Sequence, residues 1–537
     1  MKPVNHFLVM LGMIVLFCAP VGAGDDVPSA ESAWTATFDK DIVWQQLTDA
    51  GYLVVCTNEA LFGLDPTNGQ IAWKLDDVKK LPEDYFEVLS GTQFAVVNKK
   101  SGPLGVGTET ILLDVIEGKV LWTSKEIGLG STSGQFFLPP AGGMLIYGNQ
   151  AKTQKPTFLL ANLLTGTPIW TNETIFKKPP LLLPLRLQKK TSRLAINGNQ
   201  PPLHLADGSF LEFWSSAGLR KINAKTGEVI WTTKFKFKEI PAVQSGYAPM
   251  LLSDDGKVVY VPHEKTIGAF NTADGSALWV KLPKLVSGVT QMVMTPGGLV
   301  VKGVLGKKPK SFITVLNPAT GEAVWKKPFR DLKSASSFAI KDDKIAIWVD
   351  EEILLINIAD ASVTEVAKKV KFSGGEAPNG LELRNNGYLL LSDQNMTLYA
   401  WNGNPVYHAF HKAPGTSLLS KVASTAAIMA VNAMSAVSAY SKAYETGMDQ
   451  KYDLITNNPT MSKRFKATAA GNNYVSVLCQ VEGGSDSGPG LIKVDKATGA
   501  DVKCVVLGTK KPEYVLDDFE NRLFFMKDDK TIECFNF

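Results

Sequence analysis

The chain has 537 residues, 45% of them hydrophobic and 20% charged, which excludes a largely disordered protein and predicts a large buried core. Its formal net charge of +4 is small for this length and argues against nucleic-acid binding, which shows as a clustered basic face. A chain this long usually divides into several domains unless a closed repeat keeps it in one body.

In chain order, the first feature is a leader. Lys2 precedes an apolar run from Phe7 to Phe17, and Val21-Gly22-Ala23 offers small residues to a signal peptidase. We read residues 1–23 as a secretory signal peptide cleaved after Ala23, and 24–537 as an exported protein, periplasmic or extracellular. Cys18 raises a lipoprotein reading, but the bulky Phe17 before it disfavours lipidation, so a soluble exported chain is expected. Without the leader four cysteines remain, Cys56, Cys479, Cys504 and Cys534. Each lies in an apolar strand-like run and none is adjacent to another, so buried free thiols are favoured over the disulfides that export permits.

Beyond the leader one pattern recurs: an apolar strand, Asp or Asn, a Gly-containing turn, and Trp four residues after the Gly. It is cleanest in Leu64-Asp65-Pro66-Thr67-Asn68-Gly69-Gln70-Ile71-Ala72-Trp73 and in Leu316-Asn317-Pro318-Ala319-Thr320-Gly321-Glu322-Ala323-Val324-Trp325. Gly118 to Trp122, Gly166 to Trp170, Gly227 to Trp231 and Gly275 to Trp279 share the spacing. Degenerate copies follow. Asn357 to Asp360 has lost both Gly and Trp, Asn402-Gly403 is followed by Tyr407, and Asp495 to Gly499 has Lys503 where Trp should stand.

Asp or Asn at a strand end can bond the backbone two residues on, and Gly supplies the positive φ of a tight turn. The Trp that starts the next strand offers a flat surface to a neighbouring unit and an indole N–H in search of an acceptor. Period-2 runs such as Val258 to Val261 and Phe312 to Leu316 predict short antiparallel strands, about four per unit. Ten strands lead into such turns, the last ending near Asn536 without an outer partner. The segment Ser32-Ala33-Trp34-Thr35-Ala36-Thr37-Phe38 is placed to supply it and close a ring.

These residues resemble the PQQ-like (quinoprotein-type) β-propeller repeat with its tryptophan-docking pattern, Ala-x-Asp-x-x-Thr-Gly-x-x-x-Trp. The likeness is strong up to Trp325 and weak from about Arg330 onward, and the opening Ala is usually replaced, as by Gly63 or Val315, with Ala269 an exception. It implies an all-β propeller of four-stranded blades, about eight to ten repeats. The family holds quinone-dependent dehydrogenases and non-catalytic propellers similar to the outer-membrane-protein assembly scaffold, and this chain reads closer to the latter.

Two departures interrupt the repeat. Residues 174–204 form a loop insertion carrying Lys177-Lys178-Pro179-Pro180 and Lys189-Lys190, a basic and apolar mix suited to a peripheral membrane contact or a partner, or to a hairpin folded on its own blade. Residues 414–466 form a helical insertion between blades, with Val422, Ala426, Met429, Ala433, Ala436, Tyr440 and Ala443 on one face. The charge-free stretch from Val422 to Tyr440 is only weakly apolar, and a span there would split the ring, so no transmembrane helix is expected in the mature chain. The helix is read as packed on the propeller or docking a partner.

For a dehydrogenase the resemblance implies a quinone between a Trp floor and a disulfide of adjacent cysteines, calcium on Glu, Asn and Asp, and an Asp base. The adjacent cysteines are missing, and no nucleophile elbow, P-loop or HExxH stands in for them. Asp254-Asp255, Asp342-Asp343, Asp517-Asp518 and Asp528-Asp529 read as solvated turns rather than acid–base pairs. The loop from Gly483 to Gly490 has too few acidic residues for calcium, and the sequons at Asn172 and Asn395 carry little weight. No catalytic residue or metal ligand is therefore assigned, and no cofactor is expected, PQQ with calcium being the alternative. The sequence predicts a binding or scaffolding propeller of the cell envelope whose partner is another protein or envelope component. The rivals are a PQQ-dependent oxidoreductase and a ligand-binding sensor.

Overall fold

The structure, a computed structural model, describes residues 27–101, 107–172, 200–214, 218–233, 248–263, 265–286, 288–305, 310–332, 335–414, 473–482 and 487–537. The leader, most of the 174–204 insertion and nearly all of the 414–466 insertion with its helix lie outside the described residues.

Ten antiparallel sheets follow one another along the chain, eight of four strands and two of three among the described residues; numbered as blades in chain order, blades 2, 3, 4, 6, 7 and 8 span 86–123, 129–172, 200–232, 288–332, 335–367 and 380–410. Blade 1 shows the plan, with Ile42–Leu47, Leu53–Thr57, Leu61–Leu64 and Ile71–Leu75 pairing in sequence order. First strands of neighbouring blades meet at the centre: Ala248 N–H donates to Val289 O at 2.9 Å, and Ser337 N–H to Asn379 O at 3.0 Å. The turn glycines and tryptophans lie at the fourth, outer strand. Blade 5 (Leu251–Leu252, Val258–His263, Thr266–Asn271) keeps only a bridge between Phe270 and Ala277 at that position. Blade 9 comprises Tyr474–Val481, Gly488–Asp495 and Asp501–Val506.

Blade 10 joins the two ends of the chain. Glu513–Asp517, Arg522–Asp528 and Thr531–Asn536 receive Glu31–Thr37 as their outer strand, with Trp34 opposite Cys534. Phe38 N–H then donates to Lys530 O at 2.8 Å and Ile42 N–H to Asp529 O at 2.6 Å, carrying the chain from blade 10 into blade 1. The expectation that an early strand closes the ring is met, and Glu31–Thr37 covers the edge that Thr531–Asn536 would otherwise expose. Ten blades also answer the count left open by sequence. Among the described residues there is no α-helix, only short 3-10 turns, and no helix long and apolar enough to cross a membrane.

The core sits between blades. Middle strands are covered on both faces, so Leu53–Thr57 is buried throughout and reads as a continuous apolar run. One cluster joins Trp44, Val54 and Trp73 of blade 1 to Phe86, Val97 and Leu113 of blade 2, and the pattern repeats around the ring.

Candidate functional site

The repeated turn builds a clamp between blades. In the cleanest case Asp65 Oδ1 accepts the Thr67 N–H at 2.8 Å, and Gly69 N–H returns to Asp65 O at 2.9 Å. Asp114, Asn162, Asn223, Asn271, Asn317, Asn357 and Asp495 hold their turns the same way. Folding the turn this way leaves the carbonyl after the Asp or Asn pointing outward, and a side chain of the preceding blade donates to it. Trp73 Nε1 reaches Val115 O at 2.7 Å, Trp122 reaches Leu163 O at 2.8 Å, and Trp170 reaches Ala224 O at 2.9 Å. Trp231 reaches Thr272 O at 3.3 Å, Trp279 reaches Pro318 O at 3.0 Å, and Trp325 reaches Ile358 O at 2.7 Å.

The glycines complete the clamp across the seam, not within the repeat that the shared spacing suggests. Each indole packs under the turn of the following blade: Trp73 under Gly118, Trp122 under Gly166, Trp170 under Gly227, Trp231 under Gly275 and Trp279 under Gly321. Gly69 covers Trp34, which donates to Pro66 O at 2.9 Å and ties blade 10 to blade 1. At Gly321, where φ is 75°, an added Cβ would stand 2.5 Å from Trp279 Cδ2, so both backbone angle and space require glycine.

Where sequence shows a degenerate copy, the acceptor stays and the donor changes. Tyr407 Oη donates to Lys496 O at 2.6 Å, under Gly499. Lys503 makes no such bond among the described residues. At that seam Lys493 Nζ of blade 9 reaches Phe537 O at 3.1 Å, and the segment Pro28 to Ala30 pairs along Cys504. In the seventh turn Ala361 takes the glycine role at φ 62°. The seam from blade 7 to blade 8 has no side-chain donor of this kind among the described residues, and Gly403 lies against Val366 O instead.

Further buried polar groups also bridge blades. Tyr147 Oη of blade 3 bonds Glu212 of blade 4, which pairs with Arg220 at 2.5 Å. Lys221 Nζ shares Thr272 O with Trp231, at 2.9 Å. Lys302 Nζ donates to Ser336 O of blade 7 at 2.5 Å, and burial brings its pKa down to about 8. His411 Nε2 meets Asp501 at 2.8 Å.

The densest polar cluster lies on blade 8. Glu376 Oε2 accepts Ser392 Oγ at 2.5 Å, Gln394 N at 3.1 Å and Asn395 Nδ2 at 2.8 Å. Burial, and then the Glu376 charge, raise the pKa of Asp393. His408, whose pKa burial lowers, meets Thr397 Oγ1 at 2.6 Å and Ser373 Oγ at 3.2 Å. Asn395, the sequon residue, is 3% exposed and its amide is committed to Ser373 O and Glu376, so it holds the loop rather than a glycan. Asn172 likewise donates its amide to Gly227 O at 3.1 Å.

The blade 8 carboxylates are committed to neighbouring donors. Glu376 already satisfies three donors, and no three His, Cys, Asp or Glu side chains converge on a metal position among the described residues. The four cysteines are buried free thiols, Cys479 and Cys504 within one core cluster and Cys56 and Cys534 in two others. Burial pushes Cys56 up to about 11 and Cys479 and Cys534 up to about 12, the protonated, unreactive state. Asp255, accepting the Lys257 N–H, and Asp528, accepting the Lys530 N–H, sit in turns as expected, but Asp517 is buried rather than solvated, holding the Phe519 and Glu520 N–H groups.

Comparison with known proteins finds a family model described as outer membrane protein assembly factor BamB, matching residues 159–404. Among solved structures, BamB from Moraxella catarrhalis is 14% identical over 71% of this chain and 98% of its own, with a TM-score of 0.33. A quinohemoprotein alcohol dehydrogenase from Pseudomonas putida is 12% identical over 75% and 81%, with a TM-score of 0.32. The computationally designed Ika8 protein is 12% identical over 71% and 99%, with a TM-score of 0.33. No curated protein matches the sequence.

Proposed function

Residues 159–404 of this chain carry the PQQ-like propeller repeat, and from that premise we propose a non-enzymatic binding or scaffolding protein of the cell envelope. The observation that carries the reading is the cross-blade clamp. Side-chain donors from Trp34, Trp73, Trp122, Trp170, Trp231, Trp279, Trp325, Tyr407 and Lys493 fix the angle between successive blades, which suits a body that presents loops in a fixed array. The matching family model is named for an assembly factor, and the leader-like residues 1–23 supply the route out of the cytoplasm. The partner is another protein, held by loops, with no cofactor taking part.

Two measurements test this. Photo-crosslinkers placed singly in exposed turns of the full chain should give one discrete protein adduct from only some positions, mapping a face. Equal yields from every position would overturn the reading. Calorimetric titration with PQQ and calcium should show no saturable heat, whereas calcium-dependent binding would restore the oxidoreductase alternative.

A further inference from the structure

On blades 2, 3 and 5 exposed lysines gather on one face of the ring. In blades 1, 3 and 5 the Asp/Asn–Gly turn lies on one face, and the hairpin between the second and third strands lies on the other, together with the connection to the next blade. Blade 5 shows it most plainly. Its turn face carries the exposed Asp254, Asp255 and Asp274, and its opposite face the exposed Lys265, Lys281 and Lys284. Leu285 N–H donates to Lys265 O at 2.8 Å and Thr266 Oγ1 to Pro283 O at 2.8 Å, holding hairpin and connection together.

The same face continues on blades 2 and 3. Lys152 and Lys155 flank the hairpin joining Gly143–Gln150 to Pro156–Asn162, and Ala151 N–H ties that hairpin to Gly128 O of the preceding connection at 2.9 Å. Lys100 stands exposed at the same end of Phe94–Ser101. None of these six lysines is in an ion pair among the described residues, whereas Lys125 nearby is already joined to Glu109 at 2.7 Å.

We propose that this lysine face rests on an anionic phospholipid surface. Three features favour a bilayer over an acidic protein. The six cations are all ammonium groups, compact and hydrated, without the guanidinium forks that read individual carboxylates or phosphates. They are spread over three blades instead of converging on a pocket, which matches a delocalised surface potential. Val280, fully exposed at 105% of its reference area, stands beside Lys281, an apolar group next to a cation in the arrangement that partitions into an interface. The proposal is independent of the scaffold reading, since it needs no protein partner.

The test is co-sedimentation of the full chain with vesicles of phosphatidylcholine, alone or with about a third phosphatidylglycerol. Binding is expected only to the anionic vesicles and is weakened by salt. Lys152→Glu, Lys155→Glu, Lys281→Glu and Lys284→Glu combined should lower the partition coefficient roughly 100-fold or more. The same charge change on the turn face, at Lys119, Lys225, Lys257 and Lys341, should lower it much less, with thermal melts confirming that both variants fold. Absence of vesicle binding, equal loss in both variants, or binding to polyglutamate but not to vesicles would each overturn the proposal, the last in favour of an acidic protein.

Discussion

Replacing Trp325 with alanine probes the cross-blade clamp at one seam. The indole is 3% exposed and donates to Ile358 O at 2.7 Å. It packs edge-on against Phe329 at 5.7 Å within a cluster holding Ile313, Phe338 and Ile345. Removing a buried aromatic of this size costs about 3–5 kcal/mol, including the carbonyl left without its donor. Unfolding entropy of about 2.1 cal/mol/K per residue gives about 1.1 kcal/mol/K for this chain, so the melting temperature should fall by about 3–5 °C. Trp325→Phe keeps one aromatic ring but loses the N–H and the rest of the indole, so it should cost less than the alanine variant, about 2–3 kcal/mol. Scanning calorimetry of both variants, with Trp279→Ala in parallel, measures the clamp at two seams. Melting within about 1 °C of the parent for both alanine variants would refute the clamp as a source of stability.

Glycine and alanine should exchange with opposite signs at equivalent turns. Gly321→Ala pushes a Cβ into Trp279 at φ 75° and should cost about 2–4 kcal/mol, while Ala361→Gly relieves a left-handed alanine and should be neutral or gain up to about 1 kcal/mol, both read from denaturant midpoints. Lys302 gives a pH test. Its pKa is about 8 in the fold and about 10.4 unfolded, so between those values the unfolded chain binds a proton that the folded chain does not. Stability therefore rises with pH across that window, by about 3 kcal/mol, and Lys302→Met should lack the rise; parallel pH profiles of the two proteins would contradict it. The buried thiols Cys56, Cys479, Cys504 and Cys534 should resist Ellman's reagent until the chain unfolds, so rapid reaction of the native protein would show that one is open to solvent.

The propeller was legible because its signal is local. An Asp or Asn, a glycine and a tryptophan at fixed spacing encode a turn and the start of a strand, and repetition along the chain turns a short-range rule into an architecture. The closing strand around Trp34 was also legible, since a last unit without an outer strand needs one from elsewhere. The partners of these residues were not legible. Spacing places Gly321 and Trp325 in one repeat, yet the ring stacks Trp279 under Gly321 and sends Trp325 to Ile358, because adjacent blades bring together residues about 40 positions apart. The same holds for Lys493 reaching Phe537 O where Lys503 replaces the tryptophan.

The blade 8 cluster was missed for a related reason. Its members come from the connection before the blade and from a hairpin within it, and a sequon at Asn395 was the sole local signal, pointing to a different chemistry. Local turn geometry and strand patterning were thus determined by the sequence itself, because they depend on backbone angles and neighbours a few residues away. Blade count, seam partners and the gathering of the blade 2, 3 and 5 lysines on one face were decided by the tertiary structure, because each depends on which ends of distant strands the closed ring brings to the same side.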